Sequence, residues 1–459
     1  MGDSETKWLD EHSPCIPVAS SSVEILHTPE EFFLKLKELI KSSQKRIILS
    51  ALYLGTGSLE QELVDCIRHA LETTDATFRV RVLFDYTRGT RGIQQASSTT
   101  MLQSLVDEFA DSDKIQVHLY HTPDLRGFLK KVLPERFNEV IGLQHMKLYI
   151  FDDSMIISGA NLSDSYFTNR QDRYILIKDC PALTDFYAQV VHAVARSSFV
   201  LDKGGEIILH EHCREHPYNG DYDAFCSMLR LRISNVVERF REKLPKRTDA
   251  DDTVIYPLVQ MGPVGVDTED CVLRRVFANE DSQADISLAS GYFNLTDDYT
   301  KLILERGRYK LSTLSASPQA NGFFGGHGIS GYVPQLYSHV SLLFFKQAAR
   351  NNRPVQMFEY DRPGWTFHAK GIWWDWHRRS ANSATFVGST NFGYRSVHRD
   401  LEAQLVIVTE NEGLKQRLRE ERTRLFEYSS LVDANTFRRP DHRVSFWVRV
   451  MSRFIRNFF

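Results

Sequence analysis

The chain has 459 residues, of which 42% are hydrophobic and 25% are charged. These are ordinary values for a globular protein of two or three domains, and they exclude disorder across the whole chain. The 56 basic and 59 acidic residues leave a formal net charge of -3, so we expect no nucleic-acid partner. Six scattered cysteines without a CxxC pair argue against a zinc ribbon and a disulfide framework. No apolar run of about 20 residues predicts a membrane-spanning helix.

The predicted elements follow one order twice along the chain. Residues 1–23 are predicted to be flexible, and their acidic start lacks the pattern of a transit peptide. Residues 24–205 read as strand, helix, two strands, a His-x-Lys strand, a Gly/Asn turn, a strand and a helix, and residues 252–459 repeat that order. The polar residues 206–251 between them are predicted to be a linker with a solvated helix. Alternating short strands and helices indicate an α/β fold with two related halves.

The two halves carry the same polar residues at the same spacing. In each, a histidine is followed by a lysine two residues later and an aspartate seven residues later. A turn containing glycine and serine then leads to an asparagine, and an acid follows that asparagine by eleven residues. The first copy consists of His145, Lys147, Asp152, Asn161 and Asp172, and the second of His368, Lys370, Asp375, Asn391 and Glu402. One His-x-Lys pair carries little information, but two matched copies predict an active site.

These residue types suit phosphoryl chemistry. Side chains two residues apart on a strand face the same way, so each histidine points with its lysine, and a pseudo-twofold can bring both pairs into one pocket. Lysine and asparagine donate hydrogen bonds to phosphoryl oxygens. One histidine can attack phosphorus while the other transfers protons, and the residues alone do not say which does which. Asp172 and Glu402 are expected to hold the imidazole nitrogen that does not react.

This double His-x-Lys pattern resembles the signature of the phospholipase D superfamily. Further segments resemble the eukaryotic phosphatidylglycerophosphate synthases, in a match that covers most of residues 24–459. The segments are residues 84–89, 134–139, 158–174 and 391–404. One departure concerns the turns: the first copy has Ser158-Gly159 where the second has Gly388-Ser389, so Ser389 is expected to support the site from the second half alone.

The resemblance implies a fold and a reaction. The fold would consist of two tandem phospholipase D-like α/β/α sandwich halves, related by a pseudo-twofold, with one active site between them. The reaction would make phosphatidylglycerophosphate and CMP from CDP-diacylglycerol and sn-glycerol 3-phosphate through a phosphatidyl-histidine, the committed step toward phosphatidylglycerol and cardiolipin. His145 would be the nucleophile and His368 the acid/base. The enzyme would lie on the matrix side of the mitochondrial inner membrane.

Alternatives remain open at the level of the sequence. A phospholipase D-type hydrolase or phosphodiesterase is the main one, because the catalytic residues do not distinguish water from glycerol 3-phosphate as acceptor. A nuclease is disfavoured by the charge, and a non-catalytic lipid-binding scaffold by the complete set of repeated residues. No cofactor and no metal are expected, since Lys147 and Lys370 can act as the cations. The oligomeric state is open, and a homo-oligomer is compatible with the sequence.

Several residues outside the repeated set are candidate substrate ligands. Arginine is favoured because its planar fork matches phosphate oxygens. Tyr292 and Asn294, at the end of a predicted strand of the second half, are also expected to face the pocket. A glycine-rich segment at residues 321–331 could close over the pocket, and an ordinary surface loop is the open alternative. The candidate arginines are Arg88, Arg91, Arg126, Arg170, Arg173, Arg395 and Arg399.

The C-terminal residues predict an amphipathic helix. Its apolar face carries Trp447, Met451, Phe454 and Phe458, and arginines occupy the opposite face. This pattern favours peripheral binding to an anionic membrane surface. Packing of the apolar face against the protein core is the alternative.

Overall fold

The computed structural model describes residues 6–92, 96–132, 138–243, 248, 250–326, 328–377 and 382–458. The strands up to residue 209 are β1 (Ile16–Val18), β2 (Val23–Leu26), β3 (Arg46–Ser50), β4 (Arg79–Asp85), β5 (Ile115–Tyr120), β6 (Leu148–Phe151), β7 (Ser154–Ser158), β8 (Arg170–Gln171), β9 (Tyr174–Ile177), β10 (Phe199–Leu201) and β11 (Ile207–Leu209). The later strands are β12 (Thr253–Met261), β13 (Val266–Asp267), β14 (Ala284–Ser290), β15 (Lys310–Ala316), β16 (Val355–Tyr360), β17 (Thr366–Phe367), β18 (Lys370–Trp376), β19 (Ser383–Gly388), β20 (Leu401–Thr409) and β21 (Ser429–Leu431).

Helices connect and cover these strands. Those of the first half and the connection are α1 (Pro29–Ser42), α2 (Ser58–Thr73), α3 (Tyr86–Thr90), α4 (Ser98–Phe109), α5 (Gly127–Val132), α6 (Asp164–Thr168), α7 (Pro181–Ala195) and α8 (Tyr222–Glu242). Those of the second half are α9 (Thr268–Phe277), α10 (Asp297–Lys301), α11 (Val333–Arg350), α12 (Tyr394–His398), α13 (Glu412–Phe426) and α14 (Phe446–Ile455). None of the helices in the described ranges is both long enough and apolar enough to cross a bilayer.

Each half is built on one large mixed sheet. The first sheet has the order β11-β10-β5-β4-β3-β6-β7-β9-β2, and the second has the order β1-β12-β20-β19-β18-β14-β15-β16-β21, with β13 also paired to β12. In the first, β3, β4 and β5 are parallel, as are β14, β15 and β16 in the second. Six neighbouring strands, β5-β4-β3-β6-β7-β9, therefore have counterparts in the same order, β16-β15-β14-β18-β19-β20. The expected fold class of two related α/β halves is confirmed.

The two halves share a hydrophobic core. One cluster of buried side chains includes Ile157 and Ile177 from the first sheet together with Leu405 and Ile407 from the second. Helix α8 buries Phe225, Leu229 and Ile233 in the same cluster. Apolar area removed from water at this junction stabilises the pairing of the halves, and it fixes how the two His-x-Lys strands face each other.

The structure corrects two predicted boundaries. The expectation of a flexible stretch over 1–23 is wrong for residues 6–23, because Trp8 and Leu9 are buried and β1 pairs antiparallel with β12 of the second half. The region 206–251 is more than a linker, since β11 extends the first sheet and α8 contributes to the shared core. Of the charged run expected to be solvated, Glu238 is exposed, whereas residues 244–247 lie outside the described residues.

Candidate active site

A cavity of about 260 Å³ lies between the two halves. Its wall contains both repeated histidines, His145 and His368, and both repeated asparagines, Asn161 and Asn391. The predicted pairing of the two motifs across the junction is therefore present in the structure as a single site.

The backbone crosses between the halves at this cavity. The amide of His145 donates to the carbonyl of Leu401 at 2.9 Å, and the amide of His368 donates to the carbonyl of Gln171 at 2.8 Å. Each histidine is thus bound, through its own main chain, to the residue that precedes the acid of the opposite half. Repetition of the motif generates the two contacts as a symmetric pair.

These contacts place each acid against the imidazole of the other half. Nδ1 of His145 lies 2.9 and 3.0 Å from the two carboxylate oxygens of Glu402, and Nδ1 of His368 lies 2.7 Å from Oδ2 of Asp172. A carboxylate next to Nδ1 favours the tautomer with the proton on Nδ1 and the lone pair on Nε2. Nε2 of His368 lies 3.2 Å from Nζ of Lys370 and 3.3 Å from the Tyr166 hydroxyl, whereas Nε2 of His145 has no hydrogen-bond partner among the described residues. The sequence predicted the pairing of acid with imidazole, but not that it crosses between halves.

Burial sets the protonation of this group. It lowers the pKa of His145 and of His368 well below the usual range, and the neighbouring Lys147 and Lys370 ammonium groups lower them further. Both imidazoles are therefore neutral near pH 7, as a nucleophile and a general base must be. Burial also raises the pKa of Asp172 to about 6 and raises that of Glu402.

The two lysines lie beneath the histidines. Nζ of Lys147 donates to the carbonyl of His145 at 2.6 Å. Nζ of Lys370 lies 2.8 Å from Nδ1 of His368 and 4.0 Å from Oδ2 of Asp172. Burial lowers the pKa of Lys147 well below its usual range and lowers that of Lys370 to about 8. Positive charge held in a desolvated site favours anionic phosphoryl groups.

The asparagines and one tyrosine complete the cavity wall. Oδ1 of Asn161 accepts the amide of Leu52 at 3.2 Å, and its Nδ2 donates to the hydroxyl of Tyr166 at 3.3 Å. That hydroxyl lies 3.3 Å from Nε2 of His368. Asn391 also lines the cavity, and its Oδ1 has no hydrogen-bond partner among the described residues.

Comparisons with known proteins agree with this geometry. A family model described as "Cardiolipin synthase, PLD-like domain" matches residues 36–193. The chain is 42% identical to the mitochondrial CDP-diacylglycerol–glycerol-3-phosphate 3-phosphatidyltransferases of Gallus gallus and Homo sapiens, with 99% of this chain and 86% of each relative covered. It is 32% identical to the enzyme of that name from Saccharomyces cerevisiae, with 97% and 90% covered. The chain belongs to this phosphatidyltransferase family.

The fold of the phosphatidyltransferase has a solved counterpart. The crystal structure of phosphatidylserine synthase from Haemophilus influenzae superimposes with a TM-score of 0.70 over 99% of this chain and 98% of that chain. The two sequences are 19% identical, so this likeness concerns the fold alone. Of the segments that carry the resemblance at the sequence level, residues 134–137 lie outside the described residues.

One predicted catalytic residue, Asp152, lies away from the cavity. Asp152 follows His145 by seven residues along a strand direction that rises about 3.3 Å per residue, so it lies at the opposite end of the strand. Its carboxylate accepts the amides of Gln44, Lys45 and Arg46 at 2.7 to 2.9 Å. Asp152 therefore holds the start of β3, and its assignment as catalytic is corrected to a structural role.

The turns of the two copies differ because of packing. At Gly159, a Cβ atom would lie 2.7 Å from Oδ1 of Asp172 and 2.8 Å from Nζ of Lys370, so only glycine fits there. At the corresponding position of the second half, the hydroxyl of Ser389 accepts the amide of Ala403 at 3.1 Å and also hydrogen-bonds the carboxylate of Glu402. The supporting hydroxyl expected from Ser389 alone is therefore where the sequence placed it.

Three of the seven candidate arginines reach the cavity. Arg88, Arg170 and Arg395 line it, as do Tyr292 and Asn294. The ring of Tyr292 lies edge-to-face against that of His368, with 5.4 Å between centroids. The segment after residue 320 also contributes to the wall, through Gly322 and Phe323.

The other four candidate arginines are engaged elsewhere, which corrects their assignment as substrate ligands. Arg173 is fully buried, and its guanidinium binds both carboxylate oxygens of Glu421 at 2.8 Å. Arg91 pairs with Glu139. Arg126 donates to the carbonyl of Gly220 at 2.6 Å, and Arg399 donates to that of Val140 at 2.9 Å. None of these four arginines lines the cavity, although Glu139, the partner of Arg91, does.

Some cavity residues were not selected from the sequence. Tyr166, Ser396 and Asp400 all line the cavity, together with Glu139. Tyr166 and Ser396 each follow their asparagine by five residues, and Asp400 follows Asn391 by nine. A position-by-position comparison of the two copies would have singled them out, because they are polar residues inside the repeated segment.

One acidic group could hold a cation. His145, Asp400 and Glu402 each offer a ligand atom, and within the described ranges these atoms lie within 4.8 Å of one another. Asp400 already pairs with Arg395 at 3.2 Å, and Lys147 lies close enough to Glu402 to affect its pKa. Protein cations thus already balance the acids of this group. That the enzyme needs no metal stays a prediction.

The C-terminal helix leaves apolar side chains in solvent. Helix α14 rests on α11 through Val448, which is buried with Leu336 and Val340. Trp447, Met451 and Phe454 are 42%, 41% and 69% exposed. The ring of Phe458, the fourth residue of the predicted apolar face, is instead covered by the guanidinium of Arg399 at 4.2 Å. The apolar face of α14 does not pack on the core of the protein.

Proposed function

We propose that this chain transfers the phosphatidyl group of CDP-diacylglycerol to sn-glycerol 3-phosphate, releasing CMP. The observation that carries the proposal is the pair of neutral imidazoles in one cavity, each held through Nδ1 by an acid of the opposite half. The names of relatives 42% identical over nearly the whole chain support the choice of donor and acceptor.

In the first step, His145 is proposed to be the nucleophile. Its Nε2 attacks the lipid-side phosphorus of the donor, an N–P bond forms, and the P–O bond to CMP breaks. CMP departs as a phosphate whose second pKa is about 6, so little acid assistance is needed. In support, Nε2 of His145 has no hydrogen-bond partner among the described residues, whereas that of His368 lies 3.3 Å from the Tyr166 hydroxyl.

In the second step, His368 is proposed to be the general base. The primary hydroxyl of glycerol 3-phosphate attacks phosphorus, the N–P bond breaks, and Nε2 of His368 takes the hydroxyl proton. Lys147, Lys370, Asn161 and Asn391 would stabilise the charge of the pentacoordinate transition state. His145 is regenerated neutral, His368 releases the proton to solvent, and phosphatidylglycerophosphate is the product.

A transfer assay with product identification tests this function. Purified protein is given CDP-diacylglycerol in mixed micelles with radiolabelled glycerol 3-phosphate, beside a variant carrying both His145→Ala and His368→Ala. We expect label in phosphatidylglycerophosphate from the wild type and none from the double variant. Circular dichroism of the variant controls for folding. Phosphatidic acid without lipid label would instead identify a hydrolase, and absence of CMP from folded protein would identify a binding scaffold.

We further propose that the enzyme reaches its lipid donor by peripheral attachment to an anionic membrane. The exposed Trp447, Met451 and Phe454 suit the interfacial region, and Arg449 and Arg453, also exposed, suit anionic headgroups. Helix α14 is tied to the cavity, since Nδ2 of Asn294 donates to the carbonyl of Arg456 at 2.7 Å. Because its relatives are named mitochondrial, the matrix side of the inner membrane is the proposed location.

Vesicle sedimentation tests the attachment. Wild type is expected to bind vesicles containing cardiolipin or phosphatidylglycerol, and binding should fall at least about tenfold in Trp447→Ser/Phe454→Ser because two large apolar side chains leave the interface. The matched control is Leu34→Ser/Leu231→Ser, which changes two exposed leucines elsewhere on the surface. Equal binding by both variants would refute the role of α14. Protease protection in mitoplasts would test the matrix-side location.

A further inference from the structure

The two halves place opposite charges at one position of the repeat. Arg170 follows Asn161 by nine residues, and Asp400 follows Asn391 by nine. Both side chains line the cavity, Arg170 near His368 and Asp400 near His145. The site is therefore symmetric in its catalytic groups, but its two ends differ in charge.

Of the three cavity arginines, Arg170 is the one without an ion-pair partner among the described residues. Arg88 pairs with Glu139 at 3.3 Å, and Arg395 pairs with Asp400 at 3.2 Å. Among the described residues, no carboxylate lies within 4.0 Å of the Arg170 guanidinium, whose Nε donates to the hydroxyl of Thr366 at 3.0 Å. Burying most of a guanidinium without a carboxylate partner costs free energy, unless an anion binds to it.

The surroundings fix the guanidinium beside the proposed base. It lies over the ring of Tyr166, 4.8 Å from the centroid, and the hydroxyl of that tyrosine is 3.3 Å from Nε2 of His368. From the other side, a Cβ atom at Gly322 would lie 3.2 Å from Nη2 of Arg170 and 2.8 Å from the Tyr292 hydroxyl. Glycine thus lets the backbone approach both groups and enclose this end of the cavity.

We propose that Arg170 binds the phosphate monoester of the acceptor, and that it selects phosphorylated acceptors over unphosphorylated ones. The inference rests on the proposed function. A dianion at Arg170 places the acceptor carbon chain beside His368, the base that takes its hydroxyl proton. At the opposite end, the corresponding residue is Asp400, whose carboxylate pairs with Arg395, so that position of the repeat offers no cation to the phosphate and the acceptor enters in one orientation.

Competition between two acceptors tests the selection. Wild type, Arg170→Gln and Arg126→Gln receive CDP-diacylglycerol with equal radiolabelled glycerol 3-phosphate and glycerol, which lacks only the phosphate. For Arg170→Gln, we expect the ratio of phosphatidylglycerophosphate to phosphatidylglycerol to fall about 10- to 100-fold, the loss of one charged hydrogen-bonding pair. Arg126→Gln, whose arginine lies outside the cavity wall and donates to the carbonyl of Gly220, is expected to keep the wild-type ratio within about threefold.

The readout is a ratio within one reaction, so a general loss of activity does not imitate the result. An unchanged ratio in Arg170→Gln, or an equal fall in Arg126→Gln, would overturn the inference. If Arg170→Gln does not fold, Arg170→Met replaces it, because methionine also removes the charge while keeping an unbranched side chain, and an unchanged ratio there would count equally against the inference. Failure of the wild type to make either lipid would refute the proposed function itself.

Discussion

The His145 end and the His368 end of the cavity are built from the same motif. Comparing them shows which contacts of the histidines occur in both copies of the repeat and which occur in only one. Both histidines donate a backbone amide across the junction, and both have Nδ1 against an acid of the other half. Beyond that, Tyr166 lies by His368 where Ser396 lies near Glu402. The repeat supplies two equivalent imidazoles, and the residues that differ between the copies are proposed to give the two imidazoles different roles in the reaction.

The comparison predicts opposite effects for the two histidines, and this is the largest effect we expect. His145→Ala removes the nucleophile and should reduce transfer by at least about 10⁴-fold with no covalent intermediate. His368→Ala removes the base of the second step and should reduce transfer about 10²- to 10⁴-fold while phosphatidyl-enzyme accumulates. The measurement is rapid quench with donor carrying ³²P at the lipid-side phosphorus, followed by acid-lability of the protein-bound label.

The wild type quenched early and the double variant serve as controls for this assignment. Label that accumulates in His145→Ala and is absent from His368→Ala would reverse the two roles. Stable label in neither single variant, with transfer still reduced, would argue for direct displacement without a phosphatidyl-histidine.

Sequence reasoning succeeded where a short segment determines the geometry. His145 and Lys147 directly precede β6, with Nζ of Lys147 on the carbonyl of His145, and the repeat brings the second pair opposite. The acids were associated with imidazoles, yet the crossing of Glu402 to His145 depends on how the halves dock, which no single segment encodes. Asp152 was misplaced because its matched spacing does not carry a shared role: Asp152 accepts backbone amides at the start of β3, whereas Asp375 lies within β18 and accepts the Ser383 hydroxyl.

The substrate arginines were harder to predict for a different reason. Arg170 and Arg173 are three residues apart, yet one lines the cavity and the other is fully buried on Glu421. Arg170 lies in β8 and Arg173 lies between β8 and β9, and their partners, Thr366 and Glu421, come from distant parts of the second half. Residue type alone indicates phosphate binding, whereas the tertiary partner decides which guanidinium remains available.

The ionisation of Lys370 predicts how the activity depends on pH. Burial lowers the pKa of Lys370 to about 8, so its ammonium is present below that pH and is lost as pH rises through it. We expect kcat/KM to fall about tenfold per pH unit above 8, because a neutral amine no longer stabilises phosphoryl charge. The profile is measured between pH 5 and 10 in wild type and Lys370→Arg, whose guanidinium stays charged.

The acidic side of that profile is less diagnostic, because the pKa of Asp172 is raised to about 6 and phosphate monoesters also titrate near pH 6. The decline of kcat/KM above pH 8 is therefore the diagnostic part of the profile. Residual activity of Lys370→Arg should lack the decline above pH 8. The same decline in both proteins would assign the limb to another group.

The smallest effects concern the hydroxyls that distinguish the two ends. Tyr166→Phe removes a hydroxyl 3.3 Å from Nε2 of His368, and Ser396→Ala removes one that accepts the amide of Asn391 at 3.0 Å and hydrogen-bonds Glu402. One neutral hydrogen bond is worth about 0.5–1.5 kcal/mol, so each change should slow turnover roughly two- to tenfold.

The two variants should slow different steps of the reaction. In single-turnover reactions without acceptor, Ser396→Ala should slow CMP release and Tyr166→Phe should not, because only Ser396 supports the acid that orients the nucleophile. When glycerol 3-phosphate is then added, Tyr166→Phe should slow lipid formation, because its hydroxyl positions the base. If both variants slow the same step, the two ends do not divide the reaction between them, even though both imidazoles are required.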